Sequence, residues 1–251
     1  MNGIGVTLAR PEELLDEARS ILRTGLGGHT ACAINVHTFV EGCRARPYRE
    51  ALNASSFAFV DGVPIRWLLR AAGHPAPPRI HGADLMDYFL QNLSDARHLF
   101  FGSTPETLSF LEAHLRLRFP GLRIAGFISP PFRPAAVRED ARTIDRINGT
   151  EADVLWVGLG APKQEAWMNL NAGRLSVPLC VGVGAAFEIL AGNFSRAPKP
   201  LQHLGLEWTW RLLQDPARLW RRYLSTNGFF LMLLIREATR RLFHRAPQDP
   251  S

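Results

Sequence analysis

The chain has 251 residues, of which 46% are hydrophobic and 21% charged, and its formal net charge is +6. This length can bury a complete core, and this composition excludes intrinsic disorder for most of the chain. The three cysteines, Cys32, Cys43 and Cys180, lack metal-ligand spacing, which is typical of a reducing cytoplasm and excludes a disulfide-rich secreted class.

Strand and helix patterns alternate along most of the chain. We expect no signal peptide, because residues 1–23 carry several acids and no continuous apolar run. In chain order, we predict strands at residues 30–36, 57–60, 98–101, 122–127, 154–158 and 177–181, and helices at residues 38–52, 64–72, 83–93, 105–119 and 135–147, with a further helix opened by Pro162. Helical crossovers between strands favour a parallel sheet. The predicted fold is therefore α/β, a Rossmann-like, mostly parallel sheet flanked by helices, over residues 1–195.

Two of the predicted strands end in glycine turns. Gly158 and Gly160 precede Pro162, so a strand, a glycine turn and a helix N-terminus follow one another, an arrangement that binds phosphate or another anion. The second turn contains Gly182 and Gly184, which permit close approach of a ligand to the backbone. Neither turn has the third small residue of a dinucleotide fingerprint, so we expect no nicotinamide and no other cofactor.

Several of these strand ends converge on one predicted ligand site. Asp61, Gly102, Gly160 and Gly184 all follow predicted strands. In open parallel sheets, ligands bind beyond the carboxyl ends of the strands, and these ends share one edge. The convergence is stronger evidence for a site than any single motif.

The alternation stops after Asn193, and residues 196–251 are predicted to form a helical appendage rich in Arg and Trp. Ten Lys or Arg residues and three acids lie between residues 196 and 245. The apolar run at residues 229–235 is far shorter than the roughly 20 residues that cross a bilayer. An apolar patch flanked by arginines favours a helix lying on an anionic membrane surface. The alternative is a helix packed on the body or on a second subunit, which leaves a homo-oligomer open.

These features together resemble the bacterial WecG/TagA/CpsF glycosyltransferases. The matching residues, in family order, are Asn35, Asp61-Gly62, Arg79-Ile80-His81-Gly82-Ala83-Asp84-Leu85, Phe101-Gly102, Gly158-Leu159-Gly160-Ala161-Pro162-Lys163-Gln164-Glu165, Gly182-Val183-Gly184, Arg196-Ala197-Pro198, Gly205-Leu206-Glu207-Trp208 and Arg211. The match covers about residues 30–225. It implies an inverting enzyme, peripheral on the cytoplasmic face of the cell membrane, that transfers sugar from a UDP-sugar donor to a polyprenyl-diphosphate-linked acceptor.

The resemblance also implies roles for individual residues. Asp61 is implied as the catalytic base, although an Asp-Gly pair is also a common turn. The implied donor- and acceptor-binding residues are Asn35, Arg79, Gly102, Gly160, Lys163, Gln164, Glu165, Gly182 and Gly184. The implied contacts to lipid diphosphate and membrane are Arg196, Arg211, Arg218 and Arg221.

Some of these assignments have simpler structural alternatives. Asn35 is equally suited to capping a turn, and the acids Glu165 and Asp84 suit a helix N-terminus. Arg211, Arg218 and Arg221 would share one face of a continuous helix, but Pro216 argues against continuity.

The chain departs from the family pattern at two positions. Ala33 stands where the family usually has Thr, and Ala185 where it often has a second glycine. The first departure puts in doubt any hydroxyl contact to the sugar at that place and suggests a different donor or acceptor.

The sequence also bears on metal use and on the identity of the donor. The chain has no Asp-x-Asp motif, and the resemblance implies a reaction without metal, so positive groups and backbone N–H donors would stabilise the leaving diphosphate. N-acetylmannosamine is the best-known donor sugar of the family, with glucose and a uronic acid as alternatives. A rival of another class is a non-catalytic, membrane-docked scaffold. We expect no nucleic acid partner, since such a binder would not require the glycine turns.

Overall fold

A computed structural model describes residues 2–136 and 138–244 and contains a six-stranded sheet between layers of helices. The strands are β1 (His29–Ile34), β2 (Phe57–Val60), β3 (Arg97–Gly102), β4 (Arg123–Ile128), β5 (Val154–Gly158) and β6 (Leu179–Gly182). The helices are α1 (Pro11–Thr24), α2 (Val36–Arg44), α3 (Arg46–Asn53), α4 (Val63–Ala71), α5 (Gly82–Asn92), α6 (Pro105–Arg118), α7 (Ala141–Asn148), α8 (Lys163–Asn171), α9 (Ala186–Leu190), α10 (Lys199–His203), α11 (Glu207–Gln214) and α12 (Pro216–His244).

The sheet is parallel throughout and has the strand order β2-β1-β6-β5-β3-β4. Its central strands are apolar on both faces because helices cover both. In β5, Leu155 and Val157 face one buried cluster, and Val154 and Trp156 face the other. The predicted Rossmann-like α/β fold is confirmed.

Strand register brings the predicted site residues together. Ile34 pairs with Val60, so the next residues, Asn35 and Asp61, leave the sheet side by side. Val157 of β5 pairs with Gly182 of β6, which places the two glycine turns next to each other. Parallel pairing therefore gathers Asn35, Asp61 and both turns at one edge of the sheet.

Two predicted helices need correction, and one helix was not predicted. The helix predicted at residues 38–52 is two helices, α2 and α3, because Pro47 cannot donate a backbone hydrogen bond inside a continuous helix and Ala45 is extended. The helix predicted at residues 135–147 begins only at Ala141, where Asp140 accepts a capping hydrogen bond from the Thr143 backbone N–H at 2.7 Å. Helix α1 was not predicted, although its buried side chains recur at helical spacing.

The predicted C-terminal helices are confirmed, and the longest of them packs on the core. Phe230 and Leu233 of α12 belong to a buried core cluster, and the Phe230 ring meets Phe39 of α2 edge to face at 6.2 Å. Helix α11 ends at Gln214 and α12 begins at Pro216, so Arg211 lies on a different helix from Arg218 and Arg221. The division into domains at residue 195 stays a prediction.

Replacing Gly102 should destabilise the fold. Gly102 has a φ of +132°, and a Cβ there would lie 2.6 Å from backbone atoms of Gly158 on the neighbouring strand. We expect Gly102→Ala to lower the free energy of unfolding by at least about 1–3 kcal/mol, measured by urea denaturation. Gly228→Ala is the matched control, because that exposed helical glycine has open space around it and alanine should stabilise the helix by roughly 1 kcal/mol. Equal effects of the two substitutions would contradict the prediction.

Candidate active site

A cavity of about 500 Å³ lies at the carboxyl edge of the sheet, where the sequence predicted a ligand site. Its lining includes eight of the predicted site residues: Asn35, Asp61, Gly160, Lys163, Gln164, Glu165, Gly184 and Arg211. It also includes residues that were not predicted as site residues, among them His37, His81, Ser103, Thr104, Glu188 and Arg222. The roles of all these residues stay predictions.

Asp61, the predicted catalytic base, lines this cavity. It follows β2 and precedes Gly62, whose φ of +98° turns the chain into α4. A second, smaller cavity of about 110 Å³ between α4, α11 and α12 also includes Asp61 in its lining. The Asp61 carboxyl group is therefore accessible from two adjoining spaces, one containing the glycine turns and one against the C-terminal helices.

The surroundings of Asp61 raise its pKa to about 6. Burial is the largest cause, because it penalises the charged form. The positive charges of Arg79 and Arg211 and a hydrogen bond from the Asn35 side chain act in the opposite direction, whereas the charge of Asp84 adds to the rise. A carboxylate with this pKa is a stronger base than an ordinary aspartate and is still mostly ionised at pH 7.

The pH dependence of turnover should reflect this raised pKa. As a base, Asp61 must be ionised, so kcat/KM should fall about tenfold for each pH unit below about 6. An aspartate with the ordinary pKa of 3.8 would place this acid limb near pH 4. The measurement is kcat/KM for the donor between pH 4.5 and 8, with enzyme integrity checked at each pH. A kcat/KM that stays constant down to pH 4.5 would contradict the assignment.

Asn35 links the first strand to Asp61. Its side-chain oxygen accepts a hydrogen bond from the backbone N–H of Thr38 at 3.1 Å and caps α2. The Thr38 hydroxyl donates to the carbonyl of Ala33 at 3.1 Å. Asn35 therefore caps α2, as one of the two readings of the sequence predicted. Its side chain also forms a hydrogen bond with Asp61. The residue that departs from the family pattern, Ala33, lines the cavity beside this cap.

The first glycine turn presents Gly160 and Lys163 to the cavity. Gly160 has a φ of +77°, which suits glycine, and its carbonyl accepts a hydrogen bond from the backbone N–H of Gln164 at 3.0 Å. The Lys163 ammonium donates to the Arg133 carbonyl at 3.0 Å and lies 5.1 Å from the centre of the Phe132 ring. Partial burial lowers the pKa of Lys163. Lys163 therefore ties the loop after β4 to the rim of the site.

Two predicted binding glycines belong to the packing of the sheet and are not among the cavity-lining residues. Gly102 permits β3 to approach β5, as described above. At Gly182, a Cβ would lie 2.9 Å from the Met168 side chain and 3.1 Å from that of Gln164. Gly184, by contrast, lines the cavity and has a φ of +58°. The close packing gives Gly102 and Gly182 a structural role, and their predicted contact with substrate stays a prediction.

Two predicted binding arginines are paired with acids. Arg79 donates from Nη2 to Glu207 at 2.9 Å and from Nη1 to the Gln202 carbonyl at 3.1 Å. Arg196 forms a bidentate ion pair with Asp84 in the first turn of α5. Both pairs join the C-terminal region to the α/β core, and the Arg79 charge still acts on Asp61. A role for either arginine in binding phosphate stays a prediction.

The other appendage arginines divide between the site and the surface. Arg211 lines both cavities, and so does Arg222, which was not predicted as a site residue. Arg221 is exposed, and its guanidinium lies 5.2 Å from the Trp220 ring centre. The side chain of Arg218 lies outside the described part of the structure. Among the arginines of α12 whose side chains the structure describes, Arg222 lines the cavities, and the predicted membrane and lipid-diphosphate contacts of Arg218 and Arg221 stay predictions.

His81 and Glu188 are further cavity residues that were not predicted as such. His81 Nδ1 accepts a hydrogen bond from the backbone N–H of Ala83 at 3.2 Å, and burial lowers the pKa of His81 to about 4. The imidazole is therefore neutral, with its proton on Nε2. Glu188 accepts hydrogen bonds from Ser103 Oγ at 2.6 Å and from Asn193 at 2.7 Å. His81 lies within a family motif that could have marked it, whereas no sequence signal marks Glu188.

Neither a metal centre nor a membrane span is present in the part of the chain that the structure describes. No group of three or more His, Cys, Asp or Glu side chains within residues 2–136 and 138–244 could hold a metal ion. Over the same ranges, no helix combines the length and the apolar character needed to cross a membrane.

A parallel sheet with a cavity at its carboxyl edge is typical of an α/β enzyme, and comparison with known proteins identifies the class. A model of the family described as "Glycosyl transferase WecG/TagA/CpsF family" matches residues 1–243, so the chain belongs to this family and is a glycosyltransferase. It is 30% identical over 192 residues to an N-acetylglucosaminyldiphosphoundecaprenol N-acetyl-beta-D-mannosaminyltransferase of Bacillus spizizenii, covering 76% of this chain and 72% of that protein. A protein of the same name from Bacillus subtilis is 25% identical over 223 residues, covering 88% and 85% respectively.

Proposed function

We propose that this glycosyltransferase moves a sugar from a UDP-sugar to an undecaprenyl-diphosphate-linked saccharide, with inversion at the anomeric carbon. The observation that carries the proposal is the Asp61 carboxyl group, with its raised pKa, in a cavity that also contains glycine turns and arginines. The names of the two Bacillus relatives support the lipid-linked acceptor. N-acetylmannosamine is the first donor sugar to test, with glucose and a uronic acid as alternatives.

In this reaction Asp61 removes the proton of the acceptor hydroxyl as that oxygen attacks the anomeric carbon. The new bond forms on one face of the sugar, and the bond to the diphosphate oxygen breaks on the other, so UDP leaves with the bonding electrons. Backbone N–H groups of the glycine turns and the guanidinium of Arg211 would stabilise the negative charge on the diphosphate. Arg222 lies in the same cavity and would add to this positive field.

The placement of Asp61 between two cavities fits a displacement of this kind. The larger cavity contains Gly160, Gly184 and Lys163, which suit the diphosphate of a nucleotide donor. The smaller cavity lies against α11 and α12, the region proposed to receive the lipid-linked acceptor. Donor and acceptor would then approach Asp61 from these two adjoining cavities.

The test is the release of UDP from a panel of UDP-sugars, with a short-chain lipid-diphosphate-linked N-acetylglucosamine as acceptor, in the presence of EDTA. Release with one donor that depends on the acceptor would identify the donor and support a reaction without added metal. If no donor is consumed, other lipid-linked acceptors should be tried, because Ala33 departs from the family pattern. Silence with every pair would favour the scaffold alternative.

The exposed face of α12 supports association with an anionic membrane surface at the cytoplasmic face. Leu219, Tyr223, Phe230 and Leu233 are buried on one side of the helix. A second stripe, formed by Trp220, Leu224, Leu231 and Ile235 at helical spacing, is about half exposed or more. The exposed Arg221 lies beside this stripe, with its guanidinium 5.2 Å from the centre of the Trp220 ring, and Arg236 and Arg240 are further exposed arginines on the same helix.

Removing part of this stripe should weaken membrane binding. We expect Trp220→Ser and Ile235→Ser each to lower affinity for phosphatidylglycerol vesicles about tenfold, because each removes apolar area that would enter the lipid. Vesicle co-sedimentation measures this. Leu117→Ser is the matched control, because Leu117 is an exposed apolar residue on α6. Unchanged binding of both variants would contradict the proposal, and a concentration-dependent dimer lost in them would assign the stripe to a second copy of the chain.

A further inference from the structure

A buried chain of hydrogen bonds runs beneath the second glycine turn. Glu165, in the first turn of α8, is only 2% exposed. Its Oε2 accepts a hydrogen bond from the Tyr48 hydroxyl at 3.0 Å, and its Oε1 accepts from Nε2 of Gln164 at 2.7 Å. Oε1 of Gln164 in turn accepts from the backbone N–H of Gly184 at 2.9 Å. The chain therefore connects α3, through α8, to a turn that lines the active-site cavity.

The chemistry of these groups fixes the orientation of the Gln164 amide. The backbone N–H of Gly184 can only donate, so it requires the amide oxygen of Gln164. The amide nitrogen then points to Glu165 and requires an acceptor, which the carboxylate supplies. Burial raises the pKa of Glu165, and the hydrogen bonds from Gln164, from its own backbone N–H and from Tyr48 act against that rise. Reversing the amide would place donor against donor at Gly184.

The turn is also shaped by direct packing on Gln164. A Cβ at Gly182 would lie 3.1 Å from Gln164 Nε2, so the backbone at the end of β6 packs closely against this side chain. Within the described part of the chain, Glu165 belongs to none of the ion pairs, and its charge is stabilised by neutral donors. Burying a carboxylate without a cation is costly, and such arrangements concentrate at functional sites.

We propose that Glu165 is a positioning residue that acts through Gln164 to hold the turn at residues 182–184 in the shape that receives the diphosphate of the donor. This inference rests on the proposed function for the identity of the ligand. It changes the role predicted for both residues: Gln164 shapes the turn rather than selecting a sugar hydroxyl, and Glu165 orients Gln164 rather than contacting substrate.

Exchanging the two side chains tests this arrangement. Gln164→Glu alone places two carboxylates against each other, and we expect the affinity for UDP to fall about 10- to 100-fold. Adding Glu165→Gln restores the three hydrogen bonds of the chain, because the carboxylate now at position 164 can accept from Gly184 and from the new amide, while the amide oxygen at position 165 accepts from Tyr48. We expect the double variant to recover UDP affinity to within about threefold of the original chain.

Two measurements report the outcome, namely UDP affinity by calorimetry and hydrogen exchange of the Gly184 amide. The exchange should speed up in Gln164→Glu and slow again in the double variant. Gln91→Glu and Glu17→Gln, both at exposed positions, control for the changes in charge. A double variant as weak as Gln164→Glu, or a single variant that binds UDP normally, would overturn the proposal. If the original chain binds no UDP, the proposed function fails, while the Gly184 exchange still tests the hydrogen-bond chain.

Tyr48→Phe provides a second test that does not depend on Gln164→Glu folding. It removes one donor to Glu165 and keeps the ring in the core. We expect UDP affinity to fall about 3- to 10-fold and exchange at Gly184 to speed up. Normal UDP affinity together with normal Gly184 exchange in this variant would overturn the proposal.

Discussion

Asp61→Asn should lower turnover about 10²- to 10⁴-fold and leave donor affinity near that of the original chain. Asparagine has nearly the same shape but cannot take the proton of the acceptor hydroxyl. The hydrogen bond from Asn35 to this side chain can be kept by the amide oxygen. Steady-state kinetics with the identified donor measures kcat, and calorimetry measures the dissociation constant of UDP. Full activity of the variant would rule out Asp61 as the base.

The stability of the same variant supplies an internal control. The folded-state pKa of Asp61, about 6, lies above its unfolded value, so its contribution to stability is present at low pH and is lost as pH rises through 6. The neutral amide of the variant avoids the cost of burying the charge. We therefore expect the Tm of Asp61→Asn to exceed that of the original chain at pH 7.5, and this difference to shrink towards pH 4. A lower Tm at pH 7.5 would indicate damage to the fold instead.

Arg211→Gln should lower kcat about 100-fold, because it removes a positive group placed to stabilise the departing diphosphate. The Arg211 charge also lowers the pKa of Asp61, so its removal should move the acid limb of kcat/KM to higher pH. Both effects are measured from pH profiles of the transfer reaction. A general loss of substrate binding would not move the acid limb, so this shift tests the electrostatic effect of Arg211 on Asp61.

The matched control for Arg211→Gln is Arg146→Gln, at an exposed position of α7. It makes the same change in net charge away from the cavity and should leave kcat and the acid limb unchanged. A fall in kcat with no movement of the acid limb would contradict the proximity of Arg211 to Asp61 in the working enzyme.

The location of the site could be predicted from the sequence because it depends on strand ends. Parallel strands place all their carboxyl ends at one edge, so recognising where the strands before Asp61, Gly160 and Gly184 end was enough to bring these residues together. The register of β1 and β2 places Asn35 beside Asp61 at the same edge. None of these placements required knowledge of side-chain contacts.

The rest could not be predicted, because it depends on tertiary packing. A glycine after a strand serves close packing or ligand approach equally well, and only the structure separates Gly102 and Gly182 from Gly184. The pairing of Arg79 with Glu207 joins residues 128 positions apart, beyond any local pattern. A rotation of about 100° per residue separates Arg221 from Arg222, so the phase of α12 decided which one faces the site.

Transfer of one sugar to a lipid-linked acceptor, with Asp61 as base, can be followed through the mass of the lipid product over time. The original chain and Asp61→Asn are compared side by side, with the donor identified by the UDP-release panel. We expect the acceptor to gain one sugar residue with the original chain and, at equal enzyme concentration, about 10²- to 10⁴-fold more slowly with Asp61→Asn. An acceptor of unchanged mass while UDP is released, or equal rates for the two proteins, would contradict both the transfer and the role of Asp61 proposed for it.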